Sequence, residues 1–150
     1  MRTSFDMTQR SGYGGVPGRP GEHLSWIDVL EPAYDAWTAV LNATGRDDLR
    51  MPNFAVAHLA SDFRREMFRT TLHYDVTVER IGNSSLTIRL DLTQGGVDTG
   101  TIRIVIVRIA PGREASAGFT AEQREALERQ MTPSAASCSI SPSSSPSNSR

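Results

Sequence analysis

Between Val56 and Ile109 the chain carries segments of alternating apolar and polar residues, broken at Ile81-Gly82-Asn83-Ser84-Ser85 and again at Gln94-Gly95-Gly96. In one of them Leu86, Ile88, Leu90 and Leu92 alternate with Thr87, Arg89 and Asp91, a period of two that puts every apolar group on one face of a sheet. Leu72, Tyr74, Val76 and Val78 do the same against His73, Asp75, Thr77 and Glu79. The pattern is that of an antiparallel meander with one dry face. A single long candidate helix, Trp26 to Leu41, is available to cover it, so the choice of folds is narrow.

The strands are expected at Asn53–Phe63, Thr71–Ile81, Ser84–Thr93 and Thr99–Ile109, with a short, weakly alternating one within Arg2–Gln9. Ile102 to Val107 is apolar on nearly both faces, which places that strand centrally or at an interface. Ser25 reads as an N-cap with Asp28 completing a capping box, and Asn42 to Gly45 give the stop signal. Leu30, Ala33, Trp37 and Leu41 then share a face. Pro32 conflicts with this, because inside a helix it removes a hydrogen bond. Either the helix is kinked, or it begins with Pro32 in its first position. A last amphipathic helix, Thr120–Arg129, opens with the capping box Thr120-Ala121-Glu122-Gln123.

The 150 residues, 38% of them hydrophobic, suffice for one domain, residues 1–131. Residues 132–150 are dominated by Ser and Pro and read as a disordered tail. Ser11 to Glu22 is a dense Gly/Pro loop. A formal net charge of −1 provides no broad cationic field, so neither nucleic acid nor an anionic membrane is an expected partner. The one cysteine, Cys138, falls in the tail, which leaves no disulfide framework, thiolate metal site or cysteine nucleophile. With no apolar run of membrane-spanning length and no apolar core in the first residues, a soluble cytoplasmic protein is expected.

The order strand, loop, helix, four antiparallel strands resembles the α+β hotdog fold, in which a curled sheet of about five strands wraps one central helix, here with a short C-terminal helix added. Val56 to Arg89 resembles the 4-hydroxybenzoyl-CoA thioesterase-like family in its Asp62-Phe63 pair, its charged connection Arg64 to Arg69 and its Ile81–Ser85 turn. The first half departs from that family. Where members carry Asp-x-Asp-x-x-Gly-His, an ungapped alignment puts His23-Leu24-Ser25 on the Gly-His segment but Glu22 on the glycine and Pro17 on the catalytic aspartate. Tyr34 and Trp37 then stand for the helix glutamate and arginine. A shifted register offers Asp6 as the acid, with Gly12 and Tyr13 at Gly-His.

The resemblance implies hydrolysis of an acyl-CoA or acyl-carrier-protein thioester by a homodimer or homotetramer, with neither metal nor organic cofactor. Such chemistry needs a carboxylate to attack or to activate water, and donors for the oxyanion. The helix start at Ser25 to Ile27 supplies donors. The acid must come from Asp6, Glu22, Asp28, Glu31 or Asp35. Asp28 is best explained as a cap, which leaves Glu22 and Glu31 as catalytic candidates beside His23. Ser25 and Trp26 are expected at the substrate, with the basic cluster Arg64, Arg65 and Arg69 suited to the phosphates of coenzyme A. His58, His73, Ser61 and Asp62 read as surface or structural groups. The missing family acids also fit a hotdog protein that binds an acyl thioester, or serves a structural role, without catalysis.

Overall fold

The computed structural model describes residues 1–8, 22–112 and 114–131. The tail at 132–150 and residues 11–21 of the Gly/Pro loop lie outside the described residues, as does Cys138. Five strands form one antiparallel sheet: β1 (Arg2–Asp6), β2 (Phe54–Phe63), β3 (Thr71–Ile81), β4 (Ser85–Gln94) and β5 (Val97–Arg108), in the order β1-β3-β4-β5-β2. Helix α1 (Trp26–Asn42) lies across it, and α2 (Ala121–Glu128) packs at the end of β3. This is the expected α+β arrangement of a curled sheet about one central helix with a short second helix. Among the described residues no helix is long and apolar enough to cross a membrane.

Alternation sets the layers. Leu72, Tyr74, Val76 and Val78 on β3, Leu86, Ile88, Leu90 and Leu92 on β4, and Ile102, Ile104 and Ile106 on β5 are all buried, and they pair across the sheet as Leu90 with Val76 and Ile102. Gly95 and Gly96, both at positive φ, form the two-residue turn between β4 and β5, which other residues would strain. From the helix side Val29, Ala33, Ala36, Trp37, Val40 and Leu41 close the core, while Leu30 is only partly buried. β5 runs between β4 and β2, so it is an internal strand, and one chain already buries its isoleucines.

The difficulty at Pro32 is settled in favour of the longer helix. Ser25 caps α1, with Asp28 Oδ2 accepting from the Ser25 amide at 2.9 Å, and Pro32 sits inside the helix, buried. Packing on the sheet outweighs the missing bond.

Among the described residues nothing covers the far edge of the sheet. β2 is exposed along nearly its whole length. Its register places Val56 beside Ile106 and Leu59 beside Ile104, on the face that α1 covers elsewhere, yet Val56 is 51% and Leu59 44% exposed. Helix α1 rests chiefly on β3 and β4.

Candidate functional site

At its N-terminus α1 opens onto a groove of about 410 Å³ lined by Leu24, Trp26, Phe63, Arg64, Arg65, Glu66 and Met67. The connection between β2 and β3 forms the other wall. It is held to the segment before α1 by backbone bonds: the Leu24 amide donates to Met67 at 2.8 Å, and the Arg69 amide to Glu22 at 2.9 Å. A second, larger hollow of about 780 Å³ adjoins it, walled by Arg65, Glu66, Phe68 and Thr70 on one side and by Gln94, Gly95, Val97 and Thr99 around the β4–β5 turn on the other. Arg65 and Glu66 are common to both.

The helix start is braced by charge. Ser25 Oγ accepts from the Asp28 amide at 3.3 Å and donates to Asp28 Oδ2 at 2.8 Å. Asp28 is 3% exposed, and Arg69 Nη2, itself buried, lies 3.6 Å from the same carboxylate oxygen. This pair balances a buried charge within the first turn of α1. The cap engages the Asp28 amide, while those of Trp26 and Ile27, at the first two helical positions, have no acceptor within the helix, as at any helix start. Those N–H groups and the helix dipole suit an oxygen that gains negative charge.

The residues expected at a site are distributed as follows. Trp26, Arg64 and Arg65 come together on the groove, and Ser25 is the cap beside it. Trp26 is 63% exposed, whereas Trp37 fills the core at 2%. Arg64 is committed to neighbours: its Nη2 donates to Asp98 at 2.7 Å and to Thr101, and its Nη1 to Asp62 at 2.9 Å. The bonds to Asp98 and then Asp62 raise the Arg64 pKa further, and Arg64 holds the Asp98 carboxyl below its usual range. Among the described residues Arg65 forms no ion pair, which leaves it as the groove's available cation. Glu22 and His23 do not line the groove but precede its Leu24, with Glu22 Oε2 at 3.7 Å from Arg69 Nε and His23 Nδ1 at 3.5 Å from Glu66 Oε2. Glu31 is exposed on α1 and does not line the groove. His58 and Ser61 are exposed on β2, and His73 bonds Ser4 on the outer face of the sheet at 2.7 Å.

Glu66 was missed as an individual site residue, and Arg69, expected with Arg64 and Arg65 at the phosphates of coenzyme A, is buried beside Asp28. Arg64 to Arg69 reads in sequence as one charged connection, and the alternation of buried Met67 and Arg69 with exposed Glu66 and Phe68 separates the groove wall from the residues that anchor it. Among the described residues no group of three or more His, Cys, Asp or Glu side chains is placed to hold a metal ion.

No family model matches the sequence, and no curated protein matches it significantly. Solved structures do match the fold. A thioesterase from Thermus thermophilus, complexed with coenzyme A and zinc, superposes with a TM-score of 0.71 at 21% identity over 86% of this chain and 92% of its own. A thioesterase-superfamily protein from Jannaschia sp. gives 0.71 at 17% identity, over 88% and 93%. A 1,4-dihydroxy-2-naphthoyl-CoA thioesterase from Synechocystis gives 0.66 at 14%, over 84% and 93%. The chain therefore has the hotdog fold, the fold of these thioesterases.

Proposed function

We propose that the protein hydrolyses the thioester of an acyl-CoA or acyl-carrier protein, with the carbonyl polarised by the amides of Trp26 and Ile27. The observation that carries this reading is the opening of α1 onto a groove lined by Trp26, Arg65 and Glu66. The indole of Trp26 and the ring of Phe63 offer an apolar seat for the acyl group, and Arg65 offers its guanidinium to a phosphate. Coenzyme A in the Thermus structure of the same fold supports a CoA ester as substrate. Purified protein given short, long and aromatic acyl-CoAs and acyl-carrier proteins is expected to release free thiol above the blank; no release from any of them would overturn the reading.

A second reading, acyl-thioester binding without hydrolysis, is favoured by one feature: Asp28 and Glu22, the carboxylates nearest the helix start in sequence, both face Arg69. It predicts a rise in melting temperature with acyl-CoA and no turnover.

The proposal includes a homodimer formed along β2. A ten-residue edge strand with Val56 and Leu59 bare on its helix-side face presents unpaired backbone groups and apolar surface together, and a second copy covers both.

A further inference from the structure

We infer that Glu66 is the general base of this groove and that His23 is its positioning residue. The inference rests on the proposed function and adds the group that moves the proton.

Glu66 lies on the seam between the α1 groove and the hollow beside the β4–β5 turn, so it borders the full length available to an extended thioester. The backbone that carries it is anchored. Met67 and Arg69 point inward and are buried, and Phe68 is clamped by Gln94, whose Oε1 accepts from the Phe68 amide and whose Nε2 donates to the Phe68 carbonyl, both at 2.8 Å. Glu66 is therefore carried on an anchored wall. His23 is held by a backbone bridge to Phe68 and by its ring, 4.7 Å from the Phe68 ring, and its Nδ1 lies 3.5 Å from Glu66 Oε2. The other acids nearby have different neighbours: Asp28 serves the cap and Arg69, Glu22 faces Arg69, and Asp62 and Asp98 bond Arg64.

In the step this arrangement serves, the Glu66 carboxylate takes a proton from water as the water oxygen bonds to the thioester carbon. The carbonyl oxygen becomes an oxyanion facing the Trp26 and Ile27 amides. As the carbonyl re-forms, the carbon–sulfur bond breaks and the proton on Glu66 passes to the leaving sulfur, giving carboxylic acid and thiol with no other reactant.

The test measures kcat and KM on the full chain with the acyl thioester it hydrolyses best, alongside melting temperatures. Glu66→Gln is expected to lower kcat by about 10²-fold or more, with KM and melting temperature unchanged because the side chain is exposed. Formate added to Glu66→Ala should restore part of the rate, which a merely structural role would not allow. His23→Ala should lower kcat by a smaller factor, again at unchanged KM. A wild type that turns over while Glu66→Gln keeps its full kcat would overturn the assignment and leave the proposed function standing. A wild type that hydrolyses no thioester would overturn both. Should Glu66→Gln melt early, the formate experiment decides, since a folded Glu66→Ala protein without rescue counts against Glu66.

Discussion

The hydroxyl of Tyr74, in the middle of the dry sheet face, donates a 2.7 Å hydrogen bond to the backbone carbonyl of Val29 in the early turns of α1. One residue earlier, the Asp28 carbonyl faces Pro32, which has no N–H to offer it. A side chain from the sheet therefore holds the helix where its own ladder is weakest. Tyr74→Phe is expected to lower stability by about 1 kcal/mol, read as a lower urea midpoint at unchanged slope.

Arg69 and Asp28 form the second tie at this end of α1. Both side chains are buried, so Arg69→Met strands a carboxylate without its cation and should cost about 3 kcal/mol or more. Adding Asp28→Asn removes the stranded charge, and the double variant should recover part of the loss. Urea unfolding of the four proteins in a double-mutant cycle checks this; additive losses would show that the two groups do not act on each other.

A distant network sets an acid limit on stability. Asp48 bonds Arg46 and Gln123, and these bonds, with the charges of Arg46 and Arg108, outweigh burial and bring its pKa from 3.8 to about 2. Because the folded value is the lower one, the contribution is fully present above the unfolded value and is lost as pH falls from about 4 towards 2. The Asp48 side chain is 43% exposed, so solvent screening keeps its contribution below about 1 kcal/mol. Asp48→Asn should melt earlier than wild type at neutral pH, with the difference closing at the acid end of a melting series.

If β2 pairs with a second copy, light scattering should give twice the 16.4 kDa chain mass. Val56→Glu with Leu59→Lys places charge on the bare face and should yield a folded monomer with an unchanged far-ultraviolet spectrum. A wild type at the single-chain mass would remove the pairing proposal.

The elements were legible because their signals are local. Alternation at Leu72–Val78 and Leu86–Leu92, the Gly95-Gly96 turn and the capping boxes at Ser25 and Thr120 each lie within a few residues, and each expected strand and α-helix formed within a few residues of its expected bounds, while the short 3-10 turn Asp47–Leu49 was not expected. Pro32 was ambiguous for the same reason. Nothing near it in sequence shows Tyr74 arriving from β3, or the packing that keeps Ala33 and Trp37 inside the core. The candidate site was half legible. Trp26, Arg64 and Arg65 could be named as candidates from the family resemblance together with residue type, but the engagement of Arg64 by Asp98, 34 residues away, could not.

By itself the sequence determined which residues face the core and where the helix on that core begins, because side-chain period and capping are properties of short stretches of chain. Only the tertiary structure decided that β2 lies bare at the sheet edge, that Arg69 is buried against Asp28, and that Glu66 stands across the groove from the start of α1. Those relationships arise from strand order and long-range pairing, and one side chain's burial or charge balance depends on neighbours that the fold alone brings within reach.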